Sequence, residues 1–208
     1  MTAPTLAHQL RERRAEMMLL ALEAVALRLF DERGFEITVD EIASEAQISP
    51  RTFYRYFPTK EDVLQVRIDR RSRQLRLALA DRPAEEAPVQ ALRVALVETV
   101  SAEDAELRRR WTSVVAATPS VLRGVVGGIQ LKGHLVMAEF FGTRLGQPAD
   151  ALMPTMLAAA AGGIVQAAHT QWFLQGADLA TAIADGLAVL EHGVAGNATA
   201  WPTTDRVT

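Results

Sequence analysis

The chain contains no cysteine in 208 residues, which excludes disulfides, thiolate metal sites and cysteine nucleophiles. That absence fits a reducing compartment. Aromatic residues are scarce, at 6%. No charge sign dominates: 22 Lys+Arg stand against 25 Asp+Glu, a net charge of −3, so the chain is not basic throughout. A long apolar run is also missing. The nearest, MPTMLAAAAGGIVQAAH, is built on alanine and glycine and falls short of the ~20 residues a membrane helix needs. The opening MTAPTLAHQLRERRAEMM lacks a basic region followed by an apolar one, so secretion is not expected and the expected compartment is the cytoplasm.

What is present is helical. Strand-like alternation persists nowhere and helix-favouring residues dominate, so the expected fold is all-α. A first helix is expected over 7–33, with Met18, Leu22, Val25 and Leu29 in an apolar stripe and Gly34 as its stop. Thr38-Val-Asp-Glu41 is a capping-box pattern and opens a short helix. Ser49-Pro50 suits an N-cap followed by proline at the first helical position. Pro58 closes that second short helix, and a longer one follows from Thr59 to about Ala80. Two short helices joined by a tight turn, after a longer one, is the layout of a helix-turn-helix.

The second short helix concentrates unlike residues. Residues 49–60 read SPRTFYRYFPTK and hold both tyrosines of the chain. On a helical wheel of about 100° per residue, Phe53 and Phe57 share one side with Pro50. Arg51 and Arg55 take the opposite side, and Tyr54 and Tyr56 flank them. Arginine can bridge the O6 and N7 acceptors of guanine, while tyrosine and threonine hydroxyls can reach phosphates. An amphipathic surface helix with solvated arginines is the plainer alternative, but it gives no reason for the tyrosines. The basic residues cluster elsewhere too: residues 1–76 carry 13 Lys+Arg against 12 Asp+Glu, with Arg11, Arg13 and Arg14 near the start and more over 67–76.

RGFEITVDEIASEAQISPRTFYRYFPTKEDVL resembles the helix-turn-helix of the tetracycline-repressor (TetR) family of bacterial transcription regulators, over about residues 15–64. The resemblance implies base contacts from Arg51, Thr52 and Arg55. It implies phosphate contacts from Thr38, Ser49, Tyr54, Tyr56 and Lys60. One departure is Gln47, where the family usually has glycine; a side chain at positive φ there carries strain.

Beyond Arg82-Pro83 the composition shifts, and the linker-like AEEAP suggests a boundary at 81–87. The expected division is a helix-turn-helix domain at 1–60, a connecting helix at 60–80, a helical ligand-binding and dimerisation domain at 81–195, and a loose tail at 196–208. Helices are expected near 88–101, 103–117, 119–145, 149–175 and 178–194. Five glycines (124, 127, 128, 133 and 142) put the continuity of the third in question.

The second domain has two expected tasks. Two reading helices one duplex turn apart require a dimer, and its expected surface is Ala159, Gly163, Ala167, Leu187, Leu190 and Val194. Packing of these small residues inside one chain is the alternative. For an effector pocket the candidates are Trp111, His134, Met137, Phe141, Met156, Gln166, His169, Trp172 and Phe173, since ligand sites are mostly apolar with a few placed polar groups. The stretch from Arg110-Trp111 through Thr118-Pro119 to Trp172 resembles the C-terminal domain of regulators associated with mycofactocin and acyl-CoA-like ligands, though the glycines near 127 depart from it.

The expected function is therefore a dimeric, DNA-binding regulator, most simply a repressor released from its operator by a small apolar effector. A ligand-blind regulator is the alternative. An enzyme is disfavoured: His8, His134, His169 and His192 show no metal-ligand spacing, and GVVGG at 124–128 is neither a Walker loop nor a dinucleotide fingerprint. No cofactor, metal or membrane partner is expected.

Overall fold

The structure is a computed structural model that describes residues 5–193. Among the described residues there are nine α-helices and no strand. They are α1 (Leu6–Arg33), α2 (Val39–Glu45), α3 (Pro50–Tyr56), α4 (Gln65–Ala80), α5 (Pro88–Ser101), α6 (Ala105–Ala117), α7 (Pro119–Leu145), α8 (Leu152–Gln175) and α9 (Leu179–His192). A 3-10 turn over Glu61–Leu64 leads into α4. The expected loose tail at 196–208, like Val194, lies outside the described residues.

The chain packs as two compact units, Met1–Arg70 with Asp104–Ile129 and Arg71–Glu103 with Gln130–Thr208. In the first, the stripe of α1 is buried through Leu22, Ala26, Leu29 and Phe30. These meet Ile42, Phe53, Phe57, Leu64 and, from α6, Trp111, Val114 and Val115. In the second, Leu92, Phe141, Ala158, Ile183 and Leu187 share one core.

Packing therefore cuts the chain elsewhere than at 81–87. Three large apolar residues of α6 complete the core around the helix-turn-helix, so α6 belongs to the first unit. The 81–87 segment is not a slack linker either. Arg144 Nη1 donates to the Ala84 carbonyl at 2.6 Å and its Nη2 to the Arg82 carbonyl at 3.2 Å. Arg82 also donates twice to the Glu86 carboxylate, which holds that carboxyl below its ordinary range.

Helix ends follow local chemistry. Gly34 stops α1 with φ 83° and ψ 171°, a region open almost only to glycine. The helix α7 is continuous despite its glycines. At Gly142 the reason for glycine is steric, since a Cβ would lie 2.8 Å from the Gln147 carbonyl oxygen. Nothing in the packing requires glycine at 124 or 127.

Candidate nucleic-acid interface

The first short helix, α2, is entered through the capping box its sequence announces. Thr38 Oγ1 accepts the Glu41 N–H at 3.3 Å, and Glu41 Oε2 accepts the Thr38 N–H at 2.9 Å and its hydroxyl at 2.8 Å. Those two donated bonds, backbone first, hold the Glu41 carboxyl below its ordinary range. Two exposed donors at the helix start are thereby satisfied.

The turn to α3 is a Schellman motif. The Ile48 N–H donates to the Ala43 carbonyl at 2.9 Å and the Gln47 N–H to Ser44 at 3.1 Å, the 6→1 and 5→2 pair of that motif. Gln47 sits at φ 56°, the one non-glycine residue at positive φ among the described residues. The reversal expected from a glycine is thus made by glutamine.

Ser49 then caps α3, accepting the Thr52 N–H at 3.1 Å, with Pro50 at the first position. Its hydroxyl also lies 2.9 Å from Thr52 Oγ1. Phe53 and Phe57 are buried, their rings 5.3 Å apart. Pinned from below in this way, α3 presents Arg51, Tyr54 and Arg55 to solvent. Tyr54 is 53% exposed, with one edge against the Phe53 ring at 5.8 Å between centroids. The Arg55 guanidinium lies 5.1 Å from the Tyr56 ring centroid, while Tyr56 and Thr52 are half-buried.

The Lys60 ammonium is engaged within the fold. Its ammonium donates to the carbonyls of Phe35 at 2.6 Å and Ile37 at 3.2 Å and sits 4.7 Å from the Phe35 ring centroid. Two of its three N–H donors thus close the α1–α2 connection. Thr38 is similarly occupied by its box. Thr38 thus holds the start of α2 and Lys60 the α1–α2 connection, each with part of its hydrogen-bonding capacity taken up within the chain.

The structure also reveals a buried polar layer that charge clustering misassigned. Arg67, counted with the basic run over 67–76, is 2% exposed, with its guanidinium 5.2 Å from the Trp111 ring centroid. The Trp111 indole N–H donates to the Leu64 carbonyl at 3.3 Å. Glu23 is buried as well, 3.6 Å from Arg70. The signal was available in the spacing: Arg67 lies three and four residues after Leu64 and Val63, and next to Ile68, on the inward face of its helix.

Trp111 is therefore a core residue of the first unit. The remaining effector candidates belong to the second. Of these, Met137, Phe141 and Trp172 are buried, and His134 and His169 half-buried. The ring of His169 is fixed, with Nδ1 2.8 Å from the Val165 carbonyl and Nε2 3.2 Å from Arg71 Nη1. Met156, at 56% exposure, and Phe173, at 38%, point outward, as does Gln166, which accepts from Gln130 at 2.6 Å. These three do not line an interior site.

The expected dimer surface separates too. Ala159, Gly163 and Ala167 are exposed along one side of α8. Leu187 is wholly buried in the core of its own unit, so it contributes no free surface, and Leu190 is half-buried against that core. Gly186 explains the fit of α8 to α9, because a Cβ there would collide with Ile164.

Among the described residues no group of histidine and carboxylate side chains could hold a metal ion. No described helix is long and apolar enough to cross a membrane.

Comparison with known proteins agrees with this geometry. Residues 22–66 match the family described as "Bacterial regulatory proteins, tetR family", and residues 86–195 match the "MftR C-terminal domain". The HTH-type transcriptional regulator TcmR of Streptomyces glaucescens is 29% identical over 177 residues, covering 80% of this chain and 77% of TcmR. The regulator EthR of Mycolicibacterium smegmatis is 52% identical over 50 residues, 24% of this chain and 23% of its own length. Among solved structures, Thermus thermophilus FadR, a TetR-family repressor in complex with lauroyl-CoA, superposes with a TM-score of 0.56 at 22% identity. The match spans 90% of this chain and 100% of that one. A regulator from Syntrophomonas wolfei gives a TM-score of 0.65 at 16% identity, over 86% of this chain and 96% of its own. The chain belongs to the TetR family of DNA-binding transcription regulators, which are not enzymes, and its C-terminal domain is of the MftR type.

Proposed function

We propose that the protein is a homodimeric repressor whose α3 reads operator DNA and which an apolar effector releases. The observation that carries this reading is the sorting of α3: Phe53 and Phe57 locked in the core, Arg51, Tyr54 and Arg55 outward, and its start capped by Ser49. Arg51 and Arg55 would take guanine edges, with Thr52 beside them, and Ser49, Tyr54 and Tyr56 would face phosphates. The working division along the chain is a reading domain over 1–60, a connection at 60–80 and an effector and dimer domain over 81–195, from which α6 packs into the first unit.

The exposed small residues of α8 support dimerisation. Ala159, Gly163 and Ala167 permit close backbone approach, and a dimer supplies the two reading helices that half-sites one turn apart demand. For the effector, Met137, Phe141 and Trp172 offer apolar lining, with His134 as a polar anchor and His169 available only if it gives up its bond to Arg71. Lauroyl-CoA in the Thermus thermophilus relative suggests a fatty-acyl thioester as the first class to try. An effector must bind the DNA-free state more tightly than the DNA-bound state to shift the balance.

The test is titration of the operator complex with acyl-CoAs of increasing chain length, alongside melting of the free protein. Release at a defined chain length, with a melting shift of about 2.7 kcal/mol in stability at a hundredfold excess over Kd, supports the reading. Operator binding that no acyl chain alters, by a protein whose melting no acyl chain shifts, favours the ligand-blind alternative.

A further inference from the structure

Arg71 of α4 and His169 of α8 meet within the second unit. Arg71 Nη1 lies 3.2 Å from His169 Nε2, and His169 Nδ1 lies 2.8 Å from the Val165 carbonyl. A carbonyl only accepts and a guanidinium only donates. The imidazole therefore carries its proton on Nδ1 and offers the Nε2 lone pair to Arg71. Both side chains are half-buried, so a fixed positive charge, partly withdrawn from water, is met by a neutral ring nitrogen. An acyl oxygen is a stronger partner for that fork, above all a carboxylate, which can take two parallel N–H bonds.

The surface beside this pair is apolar. Gly162, Val165 and His169 follow one another at three and four residues along α8 and so share a face. Val165 packs against the core that holds Met137, Phe141 and Trp172. Between α7 and α8, the Met137 Cε methyl lies 3.6 Å from where a Cβ on Gly162 would sit and 3.9 Å from one on Gly133. These are ordinary contacts, so packing demands glycine at neither position, although glycine weakens a helix relative to alanine. Methionine is unbranched and repacks readily. An alkyl chain can therefore take the place of its methyl beside the two glycines.

We propose that Arg71 binds an acyl oxygen of the effector, a carboxylate or a thioester carbonyl, in place of His169 Nε2, with the alkyl chain lying where the Met137 methyl packs. This rests on the effector reading of the second domain and names the ligand as an amphiphile with an oxygen-acceptor head. His169 is then the effector's competitor for Arg71.

The test is calorimetric titration of the full chain with dodecanoate, dodecanoyl-CoA and dodecyltrimethylammonium, which share a chain and differ at its head. Wild type is expected to bind at least one acyl compound about 10–100-fold more tightly than the ammonium, the factor of one hydrogen bond to a charged group. The chain's net charge of −3 favours the cation, so this order runs against bulk attraction. In Arg71→Met the preference should vanish. His169→Leu should tighten acyl binding by about 3–10-fold, which loss of packing alone would not do. Tight dodecanoate binding assigns the oxygen to a carboxylate, and binding confined to dodecanoyl-CoA assigns it to the thioester carbonyl. Equal affinity for all three compounds in wild type would overturn the proposal and leave the apolar effector standing, a result that needs no variant to fold. So would a preference that Arg71→Met retains at an unchanged melting temperature. Binding of none of the three would overturn the effector reading together with this proposal.

Discussion

Gln47 occupies the position where the chain reverses between α2 and α3, at a φ of 56°. A Cβ at that φ is strained, typically by about 1–2 kcal/mol. Glycine removes the strain but gives back part of the gain through unfolded-chain entropy. Gln47→Gly is expected to raise stability by about 0.5–1 kcal/mol, read from the denaturant midpoint at constant m-value. No gain, or a loss, would mean that the glutamine side chain contributes something beyond the turn. Gly186 is the opposite case, since a Cβ there runs into Ile164. Gly186→Ala is expected to destabilise by about 1–3 kcal/mol, with recovery when combined with Ile164→Ala. The double-mutant cycle isolates that contact.

At the scale of elements, the stops and starts were the most legible part of the sequence. Thr38 and Glu41, Ser49 and Pro50, and Pro58 each encode a backbone hydrogen-bonding decision within three or four residues, and each is found in place. Burial was harder to read. Arg67 counts as a charge in composition, yet its position after Val63 and Leu64 carries it into the core over Trp111. Trp111 looked like a pocket residue because it is large and isolated in sequence. Its partner Leu64 lies 47 residues away, a relation no local pattern contains. The 81–87 segment looked like a linker because Arg144, which pins it, lies some sixty residues later. The capping box at α2 also gives a pH signature. Glu41 has a lowered pKa, so its contribution is present above the unfolded-state pKa and lost as pH falls through the folded value. Thr38→Ala is expected to cost about 0.5–2 kcal/mol near neutral pH. The gap to wild type should narrow below about pH 4. A gap independent of pH, in paired denaturation curves, would mean the bond from the Thr38 hydroxyl to the Glu41 carboxylate adds nothing.

For the whole molecule, composition concealed the function. A net charge of −3 suggests no affinity for a polyanion, because the residues that matter are few and local. What exposes them is the division within α3, where two buried phenylalanines fix which way two arginines face. On the proposed function, base reading is done by these two arginines. It is tested most directly by selecting binding sites from a randomised duplex pool with wild type, Arg51→Ala and Arg55→Ala. If the arginines bridge guanines, each substitution should relax preference at one position in each half-site. Each should also lose about 1–3 kcal/mol of discrimination there. Identical selected sites for all three proteins would contradict the claim.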